Sequence, residues 1–197
     1  MLDLLKKDID VLTKKYKMHV LLLVFFLCAG SVNTSDEFFS TFPMVICSWF
    51  TANLIAHGER EGMGEVAKKL YVQEKYLFQL IVVFISMVIC VAGLSSRYPV
   101  DSYDFSNVLL TMLAAALLVP SAVLPIIFKN GAEKSFLKYL AVLALGVALC
   151  YYFSASFEHR YIAPIGLGVC IAAGLLFLAI YFGSYLLSVK FYEKRES

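Results

Sequence analysis

Six apolar runs divide the chain, at Met18–Val32, Phe38–Ala56, Leu77–Leu94, Asn107–Phe128, Tyr139–Ser154 and Ile162–Val189. A helix rises about 1.5 Å per residue, so about 20 apolar residues cross a hydrocarbon core of about 30 Å. Each run therefore predicts a transmembrane helix, the first of them short and the last long. Upstream, the pattern changes: Leu2, Leu5, Ile9, Leu12 and Tyr16 recur at steps of three and four, while Asp3, Lys6, Lys7, Asp10, Thr13 and Lys14 fill the opposite side. That spacing predicts an amphipathic helix over residues 1–17, lying on the membrane surface with its apolar face down and its lysines toward anionic headgroups. The expected fold is all-α: a polytopic membrane protein of six transmembrane helices over 18–189, preceded by this interfacial helix and followed by a tail, 190–197. A second reading of the same start is a cleaved signal peptide ending near Ala29-Gly30-Ser31, which N-terminal sequencing of the mature protein separates from the first.

Composition agrees with a lipid solvent. The 197 residues are 60% hydrophobic and 16% charged, more apolar than one soluble core of this length can hide. Of the 17 Lys and Arg, all but Arg97 and Arg160 fall on one side of the predicted spans, in Lys6–Lys17, Arg60–Lys75, Lys129–Lys138 and Lys190–Arg195. The positive-inside rule makes that side cytoplasmic, with both termini there. The outer loops are then short: Asn33–Glu37, Ser95–Ser106 and Ala155–Tyr161. A net charge of +2, gathered at membrane edges, gives no reason to expect nucleic acid as a partner.

Candidate chemistry is sparse. Cys28, Cys47, Cys90, Cys150 and Cys170 each sit in an apolar run without C-x-x-C spacing and read as small apolar fillers, with no metal site expected. The predicted spans hold no Asp, Glu, Lys or Arg, so no group stands ready to carry a coupling proton through the bilayer. Ser48, Thr51, Asn53, Gln79, Thr111 and Ser121 are the polar intruders and read as helix-to-helix contacts. Pro43, Pro120 and Pro125 interrupt the hydrogen-bond ladders of the second and fourth spans. There is no G-x-x-x-x-G-K-[ST] sequence, so ATP, if used, is hydrolysed by another chain.

The longest cytoplasmic connection, His57–Tyr76, has a pattern of its own. Met63, Val66 and Leu70 share one helical face and Glu65, Lys68 and Lys69 face away, which gives a short apolar ridge suited to a groove on a soluble partner. Taken with Leu4-Leu5-Lys6-Lys7-Asp8, Lys14-Lys15-Tyr16, Glu59 just past the second span, Lys75-Tyr76 at the third and the closing Ser188–Glu196, the chain resembles the compact bacterial ABC-2 type permeases of about 200 residues. In place of the proline and arginine common in that loop it carries Lys69-Leu70-Tyr71-Val72.

That resemblance implies a membrane subunit of an exporter in the bacterial plasma membrane, itself not an enzyme and without a cofactor of its own. The interfacial segment would be its elbow helix. The loop would act as a coupling helix, with Glu59, Met63, Glu65, Val66 and Leu70 seated on a separate ABC ATPase that binds the ATP, and Lys129–Ser135 as a second contact. A second permease subunit, identical or paralogous, would complete the pathway for an amphipathic peptide or lipophilic antimicrobial. Two further readings compete. A substrate-binding membrane component of a vitamin-type uptake system would dock through small residues such as those of Leu140–Leu149 and Ile171–Leu175. A membrane peptidase would need a cytoplasmic Cys–His pair, but Cys47 lies about 15 Å deeper than His57 on a regular helix.

Overall fold

The computed structural model describes residues 10, 41–42, 44–51, 68–96, 98–158 and 165–195. Among them are four long helices, α1 (Lys68–Ser95), α2 (Tyr103–Asn130), α3 (Ala132–Glu158) and α4 (Leu167–Arg195), with a shorter helical stretch over 44–51 and no strand. Three of the helices, α1, α2 and α4, are long and apolar enough to cross a membrane; α3 carries a shorter apolar stretch, Leu137–Phe153. The all-helical expectation and the last four apolar runs thus correspond to observed helices. Met18–Val32 and the interfacial residues Leu2, Leu5, Ile9, Leu12 and Tyr16 lie outside the described residues, as do both ends of Phe38–Ala56.

The helices are packed around α2. In its most apolar stretch 61% of residues are buried, against 33% for α1 and 17% for α4, so α2 is the post on which the others lean. On α1 the buried positions Gln79, Val83, Ser86, Cys90 and Leu94 follow steps of four and three, as do Tyr181, Ser184, Ser188 and Tyr192 on α4. One face of each is therefore packed on protein. The other faces leave Phe84, Ile85, Leu175, Leu176 and Phe182 more than half exposed, as suits helices whose remaining surface meets lipid tails.

Local chemistry sets the helix ends. Ser102 caps α2 by accepting from the Phe105 amide at 3.1 Å, with Asp104 in the first turn beside the positive helix end. At the far end Gly131 has φ 80° and ψ 157°, a conformation almost closed to residues with a Cβ, and its amide donates to Ile127 O at 2.7 Å. That single residue separates α2 from α3, where the sequence predicts a loop over Lys129–Ser135. The ladder needs no wider break because glycine alone turns the chain.

One further boundary differs from expectation. Tyr76 was the expected end of the coupling loop, but helix already runs from Lys68, so residues 68–76 are the first turns of α1. This helix end is packed on several sides: Tyr71, Val72, Glu74, Lys75 and Tyr76 are all buried. Pro120 and Pro125 lie inside α2 without ending it.

Candidate coupling site at the lysine-bearing end

The start of α1, the end of α2, the start of α3 and the end of α4 gather at one end of the bundle, and these are the ends that carry lysines. Tyr76 stands at the centre of this junction. Its ring stacks on Phe128 of α2 at 6.3 Å between centroids and meets Tyr181 and Tyr185 of α4 edge-on at 5.1 and 5.5 Å. Nearer the helix end, Tyr71, Phe128 and Tyr192 form a second triangle of rings 5.6 to 6.3 Å apart. Aromatic pairs at such spacings gain from edge-to-face electrostatics beyond their buried area. Three helices are thereby tied at the point where the 57–67 segment enters α1.

A directional hydrogen-bond chain runs through the same place. Tyr76 Oη lies 2.7 Å from both Ser184 Oγ and Ser188 Oγ, and Ser184 Oγ donates to Ser121 O at 2.8 Å. A serine has one hydroxyl proton. Since that of Ser184 goes to Ser121 O, Tyr76 donates to Ser184 and Ser188 donates to Tyr76. Tyr181 adds a donation to the Tyr76 carbonyl at 2.8 Å. Ser121 O is the acceptor that an amide four residues on would normally satisfy, and that residue is Pro125, which has no N–H.

One turn further along α1, the Gln79 side chain donates to Ser48 O and to Thr51 Oγ1, both at 3.2 Å. The side chains of Thr51 and Gln79 thus join two helices, as the sequence suggests, whereas Ser48 contributes its backbone carbonyl and not its hydroxyl. The hydroxyls of Thr111 and Ser121 instead bond within α2, to Asn107 O and Leu117 O, and Asn53 is outside the described residues. Glu74 and Lys75, expected in a loop, are 0% and 4% exposed, and the Lys75 ammonium lies 5.3 Å from the centre of the Tyr71 ring. Sequence reading missed them because it ended the membrane-embedded run at Leu77; the apolar neighbours Leu70, Tyr71 and Val72 were the available signal that the helix starts earlier.

Of the predicted docking residues only Leu70 is described. It sits in the first turn of α1 and is 36% exposed, open to a partner. Glu59, Met63, Glu65 and Val66 lie outside the described residues. Cys47, Cys90, Cys150 and Cys170 are buried and in no disulfide; Cys47 Sγ lies 3.0 Å from Ser86 Oγ, Cys150 Sγ 2.7 Å from Thr41 Oγ1, and Cys170 donates to Ser106 O at 3.0 Å. No group of residues placed to hold a metal ion occurs among those described.

Away from this junction, α1, α2 and α4 enclose an apolar groove of about 580 Å³, with Phe84, Met87, Leu113, Cys170, Gly174 and Leu178 on its walls. In the 96–102 connection Tyr98 packs against the core, Tyr103 is 59% exposed, and Phe105 is buried at 4%. Gly146 faces inward, where an added Cβ would stand 3.3 Å from Val119 Cγ2 and 3.4 Å from Val45 Cγ1, so this small residue is used for packing within the chain.

Comparison with known protein families finds a match over residues 3–193 to the family described as ABC-2 family transporter protein. No curated protein and no solved structure matches the chain.

Proposed function

The chain belongs to the ABC-2 family of transporter proteins, a membrane permease component of an ABC transporter, and from that premise we propose that it is the half-pathway subunit of an ATP-driven exporter. In this reading the lysine-bearing end faces the cytoplasm, as the lysine distribution argues, and an ABC ATPase docks on the 57–67 segment together with Leu70. A second permease subunit completes the route. The cargo is amphipathic or lipophilic, in keeping with an apolar groove of about 580 Å³ between α1, α2 and α4.

The observation that carries the coupling part is the place of Tyr76. A push on the 57–67 segment acts on the first turns of α1, and there Tyr76 is hydrogen-bonded and ring-packed to α4 and, through Ser184, to the proline-broken ladder of α2. Helix α1 thus has the form of a lever whose short arm the ATPase moves. This chain supplies position and force transmission, while ATP chemistry belongs to the partner.

The test is copurification. Met63→Glu combined with Leu70→Glu is expected to abolish recovery of the ATPase with the tagged permease while the permease still inserts into the membrane. Full recovery of the ATPase would refute docking through this ridge.

A further inference from the structure

At the same end of the bundle, Lys129 and Asn130 of α2 and Lys134 and Lys138 of α3 line an open cleft of about 440 Å³. The one-residue turn at Gly131 brings these lysines together, because it lets α3 start at once beside the end of α2. Lys134 and Lys138 are one turn apart on one face of α3 and both are exposed; Lys129 is exposed too, its ammonium 5.1 Å from the centre of the Phe191 ring. None of the four described lining residues is acidic. Three ammonium groups held around one concavity repel one another unless an anion sits among them.

The rest of α3 says what kind of anion. From Lys134 and Lys138 the same face continues, at steps of three and four, through Ala141, Leu145 and Leu149, all exposed, the two leucines at 60% and 47%. Leu149 then forms part of a second apolar groove, of about 290 Å³, between α2 and α3. From Lys138 to Leu149 the helix rises about 16 Å, close to half of a hydrocarbon core of about 30 Å. A soluble partner or free phosphate would use the lysines and make no use of the leucine stripe that runs on from them. A molecule with a phosphate at one end and a chain one leaflet long at the other uses both.

We propose that the α2–α3 face is a binding site for one anionic phospholipid, its phosphate among Lys129, Lys134 and Lys138 and an acyl chain along Ala141, Leu145 and Leu149. The site uses none of the docking-ridge residues and stands or falls independently of export.

The experiment uses the full-length permease in detergent, with native mass spectrometry after equilibration with a mixture of phosphatidylglycerol and phosphatidylcholine. The wild type is expected to retain phosphatidylglycerol in preference. Lys134→Gln with Lys138→Gln should reduce that preference by about tenfold or more, and Leu145→Asn should weaken retention of either lipid. As control, Lys190→Gln with Lys194→Gln is expected to leave the preference unchanged; an equal loss there would mean general attraction to basic ends and would overturn the site. Displacement of the retained lipid by millimolar inorganic phosphate would assign the cleft to a free anion and overturn it as well. So would a loss of ATPase copurification by the Lys134/Lys138 variant in phosphatidylcholine-only nanodiscs, which would make the lysines a protein contact.

Discussion

The hydroxyl of Ser184 on α4 donates to the carbonyl of Ser121 on α2, and that carbonyl is the one left without a helical donor by Pro125. A gap in one helix's ladder is filled by a side chain of another, which makes the pair a cross-helix staple. Leaving a buried carbonyl unsatisfied costs about 1–3 kcal/mol, whereas an average interhelical hydrogen bond in a membrane is worth about 0.6 kcal/mol. Ser184→Ala is therefore expected to destabilise the purified permease by about 1 kcal/mol or more, read as thermal unfolding in detergent. On a Pro125→Ala background, where residue 125 regains an N–H, the same change should cost clearly less. Equal costs on both backgrounds would mean that the staple does not compensate for the proline.

Tyr76 separates ring packing from hydroxyl bonding. Tyr76→Phe keeps the contacts with Phe128, Tyr181 and Tyr185 and removes only the link between Ser188 and Ser184, so a loss of about 1–2 kcal/mol is expected. Tyr76→Ala removes the rings' common partner and should cost about 3–5 kcal/mol. If the lever reading is right, Tyr76→Phe also leaves ATPase copurification intact while lowering cargo-stimulated ATP hydrolysis by the assembled transporter. Unchanged stimulation would confine Tyr76 to a structural role.

The apolar runs made the long helices legible, since length and hydropathy alone mark Leu77–Leu94 and Asn107–Phe128 as spans, and both lie inside observed helices. The junction was not legible. Tyr71, Tyr76, Tyr181, Tyr185 and Tyr192 are separated by up to 121 positions, and no local spacing says that the start of α1 meets the end of α4. Glu74 and Lys75 misled for another reason: charge is read as exposure, although a carboxylate or ammonium at a helix end can be enclosed by neighbouring helices. Ser184 escaped notice because its role follows from a proline on a different helix. By contrast, Leu70 was legible as an apolar position that stays exposed.

Gly131 gives a test of the α2–α3 turn. With φ 80° and ψ 157° it occupies a backbone region that essentially only glycine visits, and strain of this kind costs about 1–3 kcal/mol. Gly131→Ala should lower thermal stability by that amount, and Gly131→Asn should do no better, because the conformation is not the left-handed helical one that asparagine tolerates. A neutral alanine would mean that the turn relaxes easily. The same variant should also weaken anionic lipid retention, since the turn places Lys129 beside Lys134 and Lys138.

Gly146 tests how α3 is held, the one of the four long described helices with the shortest apolar stretch. An added Cβ meets the ends of two valine side chains at 3.3 and 3.4 Å, tight but open to small adjustment, so Gly146→Ala is expected to change stability by less than about 1 kcal/mol. Gly146→Leu has no such room. It must push α3 away from Val119 of α2 and from Val45, at a cost of about 1–3 kcal/mol. Cys150 reports the displacement: one turn beyond Gly146, it is 4% exposed, with its sulfur against Thr41 Oγ1. Maleimide modification of Cys150, located by peptide mass mapping, should accelerate in the leucine variant and stay slow in the alanine variant. If small-residue docking to an outside partner were instead the purpose of Gly146, the leucine variant would leave Cys150 protected and lose only that partner.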